Sequence, residues 1–240
     1  MKLISCQNGR ILTSLKSEEA IAAQQKIIST GFREIDAIAP GAGLSMGAIH
    51  ELLWAPDDGA PLHFAMHLAR RNMESGAIVF CDDQQEIYPP ALAAMNIPLD
   101  RLYLLHPQKR EDRVWAIAEC LSCKGVAATV ATIDRLSRIE TRRLQLAAER
   151  GGGIGLLLRP MIRTQSGLQA PQIYAAATRW VVAPARGERT VQRWEVKLIH
   201  GHGGRVGQTV ILEHSRETNL MRTTEKLADR PLETRLAKGA

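Results

Sequence analysis

A chain of 240 residues with 45% hydrophobic and only 4% aromatic content has room for one good-sized domain plus tails, with a core of Leu, Ile, Val and Ala. No apolar run approaches the roughly 18 residues of a membrane span, and the opening MKLISCQNGR turns polar too early for the apolar stretch of a signal peptide, so a cytoplasmic protein is expected. The net charge of +6 is compatible with a polyanionic partner, but the positive residues are spread along the chain and form no basic arm.

Residues 1–28 read as a helical extension, with a helix over 17–28 opened by Ser17, Glu18 and Glu19. A short helical turn at 30–36 and a glycine-rich loop at 40–47 lead into an apolar strand at 48–53. A helix follows at 61–73, with Pro61 in its first turn and Asp57 and Asp58 just ahead of it. Strands are predicted at 77–81, 102–105, 126–133 and 154–158, and helices at 90–95, 111–122 and 138–150, the last stopped by Gly151, Gly152 and Gly153. Alternating helices and short apolar strands predict an α/β fold: a mostly parallel sheet covered on both faces. The last third differs: a helix at 171–178, a strand at 180–183, then an antiparallel hairpin of 193–199 with 208–213. After Ser215 no apolar period is sustained, so residues 216–240 are expected to be a disordered tail behind a core at 29–215.

The order loop, strand, glycine-containing turn, helix is where a phosphate-loop protein holds its nucleotide. A working loop reads G-x-x-x-x-G-K-S/T: amides cradle the phosphates, the Lys reaches the terminal ones, and the hydroxyl holds Mg²⁺. Here the stretch is Trp54, Ala55, Pro56, Asp57, Asp58, Gly59, Ala60, Pro61. Gly59 is kept; Trp54 replaces the first Gly, Ala60 the Lys and Pro61 the hydroxyl residue, and Pro61 has no N–H to offer. A carboxylate of Asp57 or Asp58 about 5 Å from a phosphate charge would cost roughly 3 kcal/mol at an effective dielectric of about 20. Two roles stand open for these carboxylates: a plain N-cap, or a stand-in for the phosphate on the helix N-terminus. Trp54 is read as a plug of the empty site or as an aromatic anchor for a partner.

The segment 29–53, STGFREIDAIAPGAGLSMGAIHELL, resembles the entry into the RecA-family ATPase core. The resemblance continues in register to about residue 213. Residues 80–84, FCDDQ, resemble the strand whose terminal Glu activates the attacking water, and here that position is Gln84, which cannot be a general base. Thr132, Ile133 and Asp134 resemble the strand with the Mg²⁺-linked Asp, and residues 173–177, IYAAA, the helix after the second DNA-binding loop. Within that superfamily the chain is similar to the ImuA family on residues 142–152 (RRLQLAAERGG), 155–160 (GLLLRP), 88–92 (YPPAL) and 203–207 (GGRVG). This implies a RecA-like accessory protein without ATPase activity or bound cofactor. Its role would lie in SOS-induced translesion synthesis and mutagenesis. Its partners would be an ImuB-like inactive relative of the Y-family polymerases, an error-prone DnaE-type polymerase, and RecA. At least one terminus is expected to touch ImuB or RecA. A division inhibitor of the SulA type and a residual ATP- or DNA-binding regulator of RecA are the alternatives.

The resemblance also bears on DNA. The family's first DNA-binding loop shrinks to residues 135–139; the second persists at 159–167, where Arg159 and Arg163 are candidate single-stranded DNA phosphate contacts, without an aromatic residue for stacking. Arg138, Arg142, Arg143 and Arg150 read as a solvated helix face. Cys120 and Cys123 form one C-x-x-C pair with no second pair to complete a metal site, and read as small residues near a helix end. His63 and His67 have i, i+4 spacing without the H-E-x-x-H glutamate, which favours a surface pair or packed face over a metal, and His200 and His202 are placed in the hairpin turn.

Overall fold

Strands buried on both faces explain why the sequence shows runs of apolar residues instead of alternation. The computed structural model describes residues 4–7, 10–13, 26–82, 87–188 and 190–224. In chain order these hold β1 (Ile4–Gln7), β2 (Arg10–Thr13), β3 (Ile27–Ile28), α1 (Arg33–Ile38), β4 (Leu44–Ser45), β5 (Ala48–Trp54), α2 (Leu62–Arg70), β6 (Ala77–Cys81), α3 (Pro89–Ala94), β7 (Leu102–Leu105), α4 (Arg110–Ser122), β8 (Val126–Thr132), α5 (Arg138–Gly151) and β9 (Ile154–Pro160). Then come β10 (Ile162–Thr164), β11 (Gly167–Gln169), β12 (Thr178–Glu188), β13 (Val191–Gly201), β14 (Thr209–Ser215) and β15 (Met221–Thr223).

One nine-stranded sheet runs in the order β15-β14-β13-β12-β5-β9-β8-β6-β7. The half from β12 to β7 is parallel; β12 to β15 form an antiparallel meander. The predicted hairpin is the central pairing of that meander, with Trp194 opposite Leu212 and Val196 opposite Val210.

The two faces separate by strand alternation. Leu52, Ile78, Phe80, Val130, Leu156, Leu158 and Trp180 join α2 and α3 in one apolar layer. Ile49, Cys81, Ala131 and Leu157 join α4 and α5 in the other. The turn at residues 30–36 is held by Asp36, whose carboxylate accepts from the Thr30 amide at 2.9 Å and the Thr30 hydroxyl at 2.7 Å. Helix α5 starts with a reciprocal capping box: the Glu140 amide donates to Ser137 Oγ (3.2 Å), and the Ser137 amide to Glu140 Oε2 (2.7 Å). Its last residue is a necessary glycine, since a Cβ on Gly151 would sit 2.0 Å from the Leu121 carbonyl at the end of α4.

Three expectations change. Residues 171–177 form no helix, because the carbonyls of Pro171 and Ile173 accept from Arg179 (2.7 Å) and Arg159 (3.0 Å) and are spent outside any helical ladder. Residues 216–224 belong to the fold: β15 pairs with β14, Asn219 Nδ2 donates to the Ala94 carbonyl at 2.8 Å, and Thr223 donates to Glu34. The helix predicted over 17–28 lies mostly outside the described residues, and its last two residues are strand β3, paired with β4. Residues 1–3 and 225–240 also lie outside them.

Candidate functional site at the phosphate-loop position

β5 delivers the chain to the carboxyl edge of the parallel strands and α2 carries it away, so residues 55–61 occupy the place where such folds present phosphate-binding amides. Here one of those amides, and two of the first turn of α2, donate to carbonyls of the segment. The Asp58 amide donates to the Ala55 carbonyl (2.9 Å), the Leu62 amide to the Ala60 carbonyl (2.7 Å), and the Ala65 amide to the Pro61 carbonyl (3.0 Å). Gly59 takes the left-handed conformation at φ +73°, which a side chain would strain. Pro61 is the N-cap residue of α2 and makes no side-chain cap. The adjoining cleft is about 180 Å³, lined by Asp58, Gly59, Ala60, Pro61, His63 and Trp194 among others. Ligand pockets usually span roughly 300–1,000 Å³.

Neither role foreseen for Asp57 is seen. Its carboxylate pairs with Arg163 on the β10–β11 hairpin, away from the α2 N-terminus. Both side chains are well exposed, so the pair adds little stability. Its significance is positional: it joins the β10–β11 hairpin to the phosphate-loop segment. Trp54 is 7% exposed within the apolar layer of α2, and its carbonyl accepts from the Met161 amide at 2.8 Å. It acts as packing, out of reach of a docking partner. Gln84 lies outside the described residues.

Arg159 is the main correction. Read from sequence as a phosphate contact, it is 1% exposed. It donates to Glu51 Oε1 (2.6 Å), to the Ile173 carbonyl (3.0 Å) and to the Asp134 carbonyl (3.3 Å). The other Glu51 oxygen accepts from Arg179 Nε at 2.7 Å. Register explains the arrangement: Arg179 lies directly opposite Glu51 on β12, and Arg159 lies on β9 opposite Leu53, two residues along the same face. Arg179 also covers the Tyr174 ring at 4.0 Å, and Tyr174 Oη lies 3.5 Å from His200 Nδ1. Two guanidiniums and one carboxylate thus fasten residues 171–174, and the Asp134 backbone, onto the sheet. Glu51 and Arg179 escaped the sequence reading; the available signal was a carboxylate inside the apolar strand 48–53 and an arginine directly ahead of the strand predicted at 180–183.

A second buried polar chain crosses the same strands. The His50 Nε2–H donates to the Ser45 carbonyl (3.0 Å), so Nδ1 accepts from the Thr178 hydroxyl (2.7 Å), whose oxygen accepts from Trp180 Nε1 (2.7 Å). Every group is satisfied with His50 neutral, and burial pushes its imidazole down to about 4. His63 and His67 are packed, in different surroundings. His63 lies 4.2 Å from the His214 ring, and burial, then His214, brings it to about 4. His67 stacks on Phe32 at 4.5 Å. Cys120 and Cys123 end α4, and burial pushes the Cys120 thiol up. His200 lies on β13 and only His202 in the turn after it. Among the described residues no group of three or more His, Cys, Asp or Glu could hold a metal, and no helix is long and apolar enough to cross a membrane.

The sheet order, the crossover helices and the place of the altered loop define a RecA-like α/β core with a degenerate phosphate loop. The RecA protein of Crocosphaera subtropica is 28% identical over 152 residues, 62% of this chain and 39% of that protein. The ImuA proteins of two Caulobacter vibrioides strains are each 30% identical over 203 residues, 77% of this chain and 82% of theirs. No family model matches the chain. By that similarity the chain belongs to the ImuA family.

Proposed function

We propose that this chain is a non-catalytic RecA-like subunit of a damage-induced mutagenesis system. It acts through contacts with an ImuB-like inactive relative of the Y-family polymerases, an error-prone DnaE-type polymerase, and RecA. Membership of the ImuA family supports the system. The observation that carries the non-catalytic part is the segment 54–61: no ammonium at Ala60, no hydroxyl or amide hydrogen at Pro61, and the Asp58 amide bonded to the Ala55 carbonyl within the segment. No catalytic step is assigned to its residues. Arg159 is buried and presents no group to nucleic acid, and Arg163 is exposed and paired with Asp57.

Calorimetry with Mg-ATP tests the non-catalytic part directly. The expected result is no heat of binding at micromolar concentrations and no phosphate release on prolonged incubation. Micromolar binding would overturn the pseudo-ATPase reading. For the system, deletion of the gene should abolish damage-induced mutation while leaving undamaged growth unchanged, and the ImuB-like protein should be retained on the immobilised chain. Retention instead of a tubulin-like division protein would favour the SulA-type alternative.

A further inference from the structure

The outer stripe of α5 is built in a way the fold does not explain. Thr141, Leu144, Ala147 and Ala148 are its buried residues. At about 100° per residue, Ile139, Arg143, Leu146 and Arg150, at spacing i, i+4, i+7, i+11, share one stripe roughly 60° wide on the outward side of the helix. Ile139 is 83% exposed and Leu146 41%. The outermost positions of a surface helix are ordinarily polar, and a β-branched Ile there gains nothing in helix propensity. Single exposed apolar residues are ordinary; two aligned on one stripe form a pattern.

Positive charge predominates on the outward side of α5, where four exposed arginines face one exposed carboxylate, Glu149. Arg138, Arg142, Arg143 and Arg150 are exposed. Of the helix's two carboxylates, Glu140 is paired with Arg110 and its own cap, while Glu149 keeps its charge and accepts from the neutral Gln145 amide. Among the described residues, none of the four arginines has a carboxylate within ion-pair distance.

We propose that the Ile139–Arg143–Leu146–Arg150 stripe of α5 docks an acidic amphipathic helix of a partner protein, its apolar residues on Ile139 and Leu146 and its carboxylates on the arginines. Complementarity of charge selects this occupant. A second copy of the same stripe would set arginine against arginine. Single-stranded DNA would use the arginines but leave Ile139 and Leu146 without a role, and the stripe itself carries no aromatic ring for bases to stack on.

The test uses the full chain and three fluorescent probes followed by anisotropy: an 18-residue helical peptide with a Leu stripe flanked by Glu, the same peptide with Lys for Glu, and a thymidine 30-mer. The acidic peptide should bind and the basic one should not. Ile139→Ser and Arg143→Gln should each weaken binding by roughly tenfold. Thermal melts should stay unchanged, because both side chains are exposed; a variant that melts early is replaced by Leu146→Ser or Arg150→Gln. Added salt should weaken the acidic peptide without abolishing its binding, since part of the contact is apolar. Failure of the acidic peptide to bind, equal binding by all variants, or thymidine binding that alone depends on Arg143 would each overturn the proposal.

Discussion

At the scale of single residues, Glu51 decides more than any group in the phosphate-loop segment. It is buried between two guanidiniums, and a carboxylate removed from such a site leaves uncompensated charge in the interior. Glu51→Gln should therefore cost about 3–5 kcal/mol, read as a lower urea midpoint at unchanged slope. A loss below about 1 kcal/mol would mean that water reaches the cluster. His50 gives a pH dependence of known sign. Its folded value of about 4 lies below the ordinary 6.5, so the neutral ring's contribution is complete above pH 6.5 and is lost as the pH falls toward 4. Between neutral pH and pH 5 this one group should remove about 2 kcal/mol of stability. His63 and His67 shift in the same direction and steepen the fall. Urea titrations at pH 7 and pH 5 on the chain and on His50→Gln isolate the His50 part; equal losses in both would refute the assignment.

At the scale of elements, α5 owes its start to Ser137 and Glu140, and Arg110 holds the same carboxylate at 2.8 Å from α4. Ser137→Ala should cost about 1 kcal/mol, and Arg110→Ala less, because that pair is half exposed. Thermal melts of the two variants check the order, and a larger effect from Arg110 would reverse the account. The same level shows what the sequence made legible. Strands β5 to β9 and helices α2 to α5 announce themselves by apolar runs, periodicity and the triple glycine, all local signals. The loss at Ala60 and Pro61 was likewise legible, since it needs only residue identity. Residues 171–177 were misread as helical because their fate depends on Arg159 and Arg179, which arrive from strands at other points of the chain. Arg159 was misplaced for the matching reason: a charge next to a loop looks exposed until its partner, 108 residues away, is known. The mistaken tail at 216–224 followed from β15 being a three-residue edge strand, too short to show alternation.

At the scale of the whole molecule, the proposed loss of nucleotide binding bears on whether this RecA-like sheet assembles under nucleotide control. An ATP-gated filament needs a triphosphate that changes the equilibrium between free and joined subunits, and a ligand shifts that equilibrium only by its differential affinity for the two states. With Ala60 and Pro61 in place of the Lys and the hydroxyl residue, that difference has no chemical source in this segment. The Glu51–Arg159–Arg179 cluster also holds residues 171–174 to the sheet, and the exposed Asp57–Arg163 pair joins the β10–β11 hairpin to the phosphate-loop segment. Sedimentation velocity on the chain alone, with Mg-ATP, and with Mg-ATP plus a thymidine oligonucleotide should return the same protein species in all three. Growth of the sedimentation coefficient that requires ATP would show that a nucleotide site persists elsewhere on the molecule. Growth with the oligonucleotide alone would leave the nucleotide argument standing and point instead to an arginine-bearing surface other than Arg159.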